Sequence, residues 1–347
     1  MAKHIKSIES PKVSILITHK NGEEILDNCL ASLSKTNYPN FEVFVLLNAT
    51  EDRSEEIARK HKVKVYKSER NLGFAGGHNF LARKTNSKYM VIMNDDIEVE
   101  CDWLGELVRF SEENNADACQ PKILSLRDKK MFEYAGAAGG LIDKYGYPFC
   151  RGRIFDKIEE DKGQYNSPAR IFWASGACMM IKRELIEKIK LFDEDFFMYA
   201  EEIDFCWRVN LIGGKIFSVP SSKVYHLGCY SIKREKMEAK KEFLVHRNSL
   251  IMFLKNYSKK TILKLIIPRI FLELLNAAIF PQKTFIILKS FMWIIKNSSQ
   301  IKKKHREVQN LREIDDKRLQ EVMLQKCLPY LFFIKNKKTF EEVKKYF

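Results

Sequence analysis

A chain of 347 residues with 45% apolar residues has the composition of a globular protein and enough length for a sizeable core in one large domain or two smaller ones. Its net charge of +15 is unevenly placed, because Lys and Arg nearly balance Asp and Glu up to Tyr230; the basic excess lies beyond it, which argues against a nucleic-acid surface on the first two thirds. The cysteines at 29, 101, 119, 150, 178, 206, 229 and 327 form no Cys-x-x-Cys pair and no zinc-spaced cluster, and no secretory signal opens the sequence, so buried, reduced thiols in a cytosolic compartment are expected.

Residues 13–18 read as a buried strand, with His19-Lys20-Asn21-Gly22 as the turn after it. Apolar residues at 25, 26, 30 and 33 then recur at a helical period over 23–33. A second strand is expected over 41–47, a polar turn over 48–53, a helix to about Lys60 and a third short strand over 63–66. Asn71-Leu-Gly-Phe-Ala-Gly-Gly-His-Asn79 is a glycine-rich loop opening a helix, and its glycines permit close approach of backbone to a ligand. The helix leads into Tyr89-Met-Val-Ile-Met-Asn-Asp-Asp96, an apolar run that ends abruptly in two adjacent carboxylates. Strands alternating with helices in this way predict an α/β fold with a mostly parallel, doubly wound sheet, whose strand ends are where ligands bind. Paired acids there suit a hard divalent cation carrying phosphate oxygens; by residue type alone they equally make an acidic turn.

Residues 173–181 form a further apolar segment interrupted by Ser175-Gly176-Ala177. An acid- and aromatic-rich stretch, 192–208, follows, then a strand over 215–219 and Val224-Tyr-His226-Leu-Gly228. From about Lys233 the chain becomes Lys-rich helix with two strongly apolar pieces, 262–280 and 285–295; Arg269, Glu273 and Asn276 share one helical face of the first. With Lys259-Lys260 and 302–306 flanking them, both read as helices lying in the plane of an anionic membrane surface. The alternative is a helical subdomain packing on the sheet or on a second copy of the chain, a homo-oligomer. The chain thus divides into a tail (1–12), an α/β domain (13–230) and a basic amphipathic helical region (231–347).

The ordered segments at 13–22, 71–79, 93–96, 175–177 with the acids after it, and 224–228 resemble the family 2 glycosyltransferases of GT-A fold, especially the rhamnosyltransferase and galactofuranosyltransferase branch. The likeness implies a nucleotide-sugar donor, with Thr18 as a base contact and Asn71, Gly73, Gly76, Asn79 and Gly176 in the matching loops. Leu47-Asn48 stands where the family commonly carries an acid, leaving Asn48 as the polar candidate, and Lys20 stands where an aromatic residue is frequent. Asn94-Asp95-Asp96 corresponds to the family's Asp-x-Asp-like motif, so Asp96 becomes the metal ligand, Asp95 lies nearer the ribose or behind the metal, and His226 completes coordination of Mn²⁺ or Mg²⁺. Taken alone, a histidine after a strand would be structural.

The matching base is Glu202 of the Glu201-Glu202 pair, longer by one methylene than the usual Asp; Asp204 is the alternative base, or an i,i+4 partner of Arg208. The resemblance therefore implies an inverting, metal-dependent transfer, with rhamnosyl transfer included, to a glycan or lipid-linked glycan on the cytoplasmic, inner face of the cell membrane. Nucleic acid is not an expected partner. The rival reading is a GT-A scaffold that has lost activity and serves as a membrane-associated binding module, motivated by Leu47 and by Glu in place of Asp at 202.

Overall fold

The computed structural model describes residues 10–228 and 235–347; residues 1–9 of the tail, Cys229, the boundary after Tyr230 and the Lys233 helix start lie outside the described residues. In chain order the first elements are β1 (Val13–His19), α1 (Glu23–Leu33), β2 (Phe41–Asn48), α2 (Ser54–Lys60), β3 (Lys64–Ser68), α3 (Gly73–Ala82) and β4 (Tyr89–Met93). Next come β5 (Ile97–Val99), α4 (Trp103–Asn114) and β6 (Ala118–Ser125). The short strands β7 (Gly140–Ile142), β8 (Pro148–Cys150), β9 (Arg153–Ile154), β10 (Lys157–Ile158) and β11 (Ala169–Arg170) follow. The domain continues through β12 (Cys178–Lys182), α5 (Arg183–Ile189), α6 (Glu201–Leu211) and β13 (Ile216–His226). Beyond it lie α7 (Glu235–Asn256), α8 (Lys259–Ile279), α9 (Thr284–Lys296) and α10 (Ser298–Leu311).

The main sheet runs β11-β13-β6-β12-β4-β1-β2-β3, with β5 on β13. The strands β3, β2, β1 and β4 are parallel, as are β6 and β13, whereas β12 runs antiparallel between β4 and β6. Alternate residues explain the continuous apolar runs: Ile15, Ile17, Val91 and Met93 pack in one core layer, and Leu16, Met90 and Ile92 in the other. The apolar pieces 215–219 and 224–226 are one strand, β13, whose register shifts between Val219 and Lys223. That shift at Pro220 hides its continuity from a periodicity reading.

The second layer extends into the C-terminal helices, since Ile251, Met252, Phe253, Tyr257, Leu265, Ile301 and Val308 belong to the same core as the sheet. Tyr257 stands edge-on to Trp207 of α6, ring centroids 4.8 Å apart. A small sheet, β10-β9-β8-β7, packs Leu141, Phe149 and Ile154 against Leu324, Leu328, Leu331 and Phe332 near the C-terminus. Among the described residues no helix is long and apolar enough to cross a membrane. The thiols are not uniformly inside: Cys29, Cys119, Cys150, Cys178 and Cys206 are buried, but Cys101 is exposed and Cys327 only partly covered.

Candidate active site

The chain leaves β1 toward β2 on one side and returns to β4 on the other, so the carboxyl ends of β1 and β4 form a topological switch point, the crevice where open α/β sheets place ligands. Two side chains meet across it. His19, fully buried at the end of β1, lies with Nδ1 2.6 Å from Asp95 Oδ2 and Nε2 2.8 Å from Ser54 Oγ; Ser54 in turn donates to Asp52. This chain of contacts fixes one oxygen of Asp95. In the sequence His19 is only the start of a turn, because nothing at 19 signals a partner 76 residues away.

Asp96 comes next, and its Oδ1 lies 3.0 Å from His226 Nε2 at the end of β13. The amide of Asn94 is 3.1 Å from the same nitrogen. On the other edge of the imidazole, Nδ1 faces Glu133 at 3.7 Å. Burial works against a charged imidazole, but Asp96 and Glu133 outweigh it and raise the His226 pKa to about 10. Burial likewise opposes ionisation of Asp96, and the His226 contact outweighs it, holding that carboxyl below its ordinary range. Glu133 thus stands behind the far nitrogen of the imidazole, a contact that no motif revealed.

The donor set can be tested for a divalent ion. Among the described residues no cluster of three or more His, Cys, Asp or Glu forms a complete metal cage. The buried Asp96 Oδ1 lacks a satisfactory hydrogen bond and points at an imidazole nitrogen, so one carboxylate and one imidazole face each other where a cation can replace the shared proton. That set fits an ion taking most of its ligands from phosphate and water.

The third constellation is Glu201-Glu202 at the start of α6. The turn before it is forced into left-handed backbone at three residues that are not glycine: Phe197 (φ 63°), Tyr199 (φ 71°) and Ala200 (φ 70°). Such conformations cost about 1–3 kcal/mol each and persist only where surroundings over-determine them. Both glutamates carry a buried oxygen, Oε2, without a hydrogen-bond partner. Burial raises the Glu202 pKa to about 7 against the pull of the helix N-terminal amides, and burial together with Glu202 itself pushes Glu201 well up. The backbone of Gly176 lies under Glu202, where an added Cβ would sit 3.7 Å from the Glu202 Cβ and 3.0 Å from the Phe74 ring.

Several expected ligand contacts turn out to be internal. Asp204 is fully buried, with Oδ2 taken by Arg208 Nε (3.1 Å) and Lys255 Nζ (2.8 Å) and Oδ1 by Asn256 (2.8 Å). That excludes it as the base. The amide of Asn48 donates to Asn71 Oδ1 and accepts from Leu72 N, and Asn71 Oδ1 also accepts from Gly73 N, so Asn48 and Asn71 shape the loop rather than offer a base contact. Asn79 is spent on the Phe192 backbone and on Glu194.

The glycines of that loop answer to the protein too. Gly73 (φ 70°) leaves no room for a Cβ beside Phe197, Gly76 lies close to Leu72, and a Cβ on Gly77 would stand 2.5 Å from Thr18 Cγ2. Their smallness seats α3 between β1 and the strained turn, whose Phe197 carbonyl accepts from Phe74 N and Ala75 N. Thr18 itself is half-buried, its Oγ1 3.5 Å from His78 Nδ1.

The family model described as "Glycosyl transferase family 2" matches residues 14–190. The O-antigen biosynthesis protein RfbC of Myxococcus xanthus is 26% identical over 62% of this chain, which spans 17% of that protein's length. The N-acetylglucosaminyl-diphospho-decaprenol L-rhamnosyltransferase of Mycobacterium tuberculosis is 24% identical over 69% of this chain and 82% of its own. Among solved structures, GalNAc-T7 with UDP, GalNAc and Mn²⁺ superposes with a TM-score of 0.55 at 17% identity, covering 73% of this chain and 49% of that one. That likeness establishes the fold, a GT-A sheet with a C-terminal helical extension.

Proposed function

The chain belongs to glycosyl transferase family 2, and from that premise we propose that it transfers a sugar from a nucleotide diphosphate donor to a glycan or lipid-linked glycan, with inversion and with a divalent cation. The observation that carries this reading is the half-buried Glu202, with Oε2 buried and unpartnered and its pKa raised to about 7, beside Gly176 in the segment whose Ala177 carbonyl accepts from Asn94 N just before Asp95-Asp96. A base with a pKa near the working pH combines a useful deprotonated fraction with driving force for proton transfer.

Asp96 and His226 would hold Mn²⁺ or Mg²⁺, which when bound supplies Lewis acidity at the leaving diphosphate. The GalNAc-T7 structure carrying UDP and Mn²⁺ supports the choice of ion. His19 locks Asp95 at the switch point, beside Thr18 and Asn94 on the donor side. Glu202 takes the proton of the acceptor hydroxyl as that oxygen attacks the anomeric carbon on the face opposite the departing diphosphate, so the configuration inverts and no covalent intermediate forms. Glu201, too costly to ionise beside Glu202, keeps its proton. The name of the relative with a diphospho-decaprenol substrate, and the basic, outward-facing apolar helices of this chain, support a reaction at an anionic membrane surface.

The test is a thermal-shift and calorimetric screen of UDP, dTDP, GDP and CMP sugars with and without Mn²⁺, since a specific ligand stabilises the folded state by mass action. One donor class should raise the melting temperature only with the cation, and Asp96→Ala should abolish the effect. Unchanged donor affinity in EDTA would remove the metal from the reading.

A further inference from the structure

Four consecutive residues of α7 lie between the catalytic turn and the outer helices. Asn248 is fully buried, and its Nδ2 donates to the carbonyls of Phe196 (3.1 Å), Met198 (3.0 Å) and Tyr199 (2.7 Å), the stretch that runs into Glu201-Glu202. Its Oδ1 accepts from Arg247 Nε (2.9 Å) and Nη2 (2.7 Å), so the amide cannot turn over without losing bonds at both ends. Arg247 Nη2 also donates to Asp195 O at 2.7 Å, and its guanidinium lies 4.7 Å from the centroid of the Trp293 ring of α9. On either side of this pair, His246 Nδ1 lies 2.8 Å from Glu273 and Ser249 Oγ accepts from Arg269 at 2.8 Å, both partners on α8.

We infer that Asn248, braced by Arg247, is a positioning residue for the transfer reaction: it holds the turn that aims Glu202, and α8 and α9 hold it. The inference rests on Glu202 being the base. Its physical ground is that a turn with three left-handed non-glycine residues relaxes unless its carbonyls are held, and that Asn248 supplies the donors that α7 directs at those carbonyls. A relaxed turn lets Glu202 hydrate and swing away from Gly176, and a small misplacement of a base is costly in rate. The titratable groups around Glu202 are Glu201, Asp204 and Cys206 on α6 and Cys150 on β8, and those around Arg247 are Asp193 and Asp195.

Hydrogen exchange of the full chain, wild type against Asn248→Ala, tests the inference without any substrate. Amides at 197–203 should exchange at least about tenfold faster while those of β1, β2 and β4 keep their protection. Where a donor and acceptor pair is in hand, the variant should lose about tenfold or more in kcat with donor affinity within twofold of wild type, and the acidic limb of its pH profile should move down from about 7 toward the ordinary carboxylate range. Should Asn248→Ala not fold, Arg247→Gln, which leaves the amide but removes its brace, should show the same local exchange to a smaller extent. Exchange at 197–203 unchanged in both variants, or global loss of protection in both, overturns the positioning role. Lack of turnover by the wild type with every donor would count against the transfer reading instead, and leaves the exchange result to judge Asn248.

Discussion

At the scale of single residues, Glu201 and Glu202 are two carboxyls that the fold cannot ionise together. Glu202→Gln keeps the shape and hydrogen-bonding reach but cannot accept a proton, so turnover should fall by roughly 10²-fold or more with donor affinity nearly intact. Turnover of the wild type should rise with pH through about 7, as the raised carboxyl loses its proton. Because the folded pKa lies above the unfolded one, the same group makes the protein less stable as pH climbs from about 4.5 to about 7. Because Glu201 is held neutral while Glu202 titrates, Glu201→Gln should leave the activity midpoint near its wild-type pH and spare most of the rate; a midpoint that moves to lower pH would show that Glu201 carries charge in the working range. Asp204→Asn should act on stability, by about 3 kcal/mol or more in urea denaturation, since it leaves Lys255 and Arg208 buried with less compensating charge. The sequence singles out Asp96, His226 and the glutamate pair because their types and order are chemically unusual, and the structure sets Asp96 against His226 and leaves a buried, unpartnered oxygen on each glutamate. The internal hydrogen bonds of Asn48, Asn71 and Asn79 are not legible for the converse reason: an amide serves a loop as readily as a ligand, and only geometry shows which partners it has. Glu133 and His19 left no trace, since each acts through a partner far away in the chain.

At the scale of elements, the glycine-rich start of α3 and the strained turn before α6 are one joint. Gly73→Ala asks for a left-handed alanine in a space already filled by Phe197, so it should destabilise the protein by roughly 2 kcal/mol or more and also disturb the base. Chemical denaturation and turnover measured together would check this, and a variant of normal stability would show that the joint yields easily. The strands β1, β2 and β4 could be read directly because each carries a continuous buried apolar run, Ile15–Ile17, Phe44–Leu47 and Tyr89–Met93. The small sheet β7–β10 could not, as strands of two or three residues carry no usable period. The helix α7 was visible only as Lys-rich helix, because its inward face is itself polar: Arg247, Asn248, Lys255 and Asn256 are buried there to serve the acid-rich stretch.

At the scale of the molecule, α8 and α9 invert the usual helix pattern. Arg269 and Glu273 are buried as an ion pair of 2.7 Å, with Arg269 also over the Tyr147 ring, while Leu263, Ile267, Phe271, Ile279, Phe285, Met292 and Ile295 are each at least 59% exposed. The shared face of Arg269 and Glu273 thus points into the protein, and the apolar face points out. An apolar surface of this extent marks an interaction site, and the Lys residues at 259, 260, 264, 289, 296, 302 and 303 around it favour an anionic bilayer. Truncation near Tyr230 is a poor test, because it would strip Asn248, Lys255 and Tyr257 from the core and the turn before α6. The triple substitution Ile267→Asp, Phe271→Asp and Phe285→Asp changes only exposed side chains, so the melting temperature should hold while flotation with vesicles of phosphatidylcholine and phosphatidylglycerol is lost. Wild type should float, less so with phosphatidylcholine alone and less at high salt, as expected when lysines meet charged headgroups. If the wild type instead sediments as a dimer, fails to float, and becomes monomeric on the triple substitution, the occupant of the apolar face is a second copy of the chain and the membrane assignment falls.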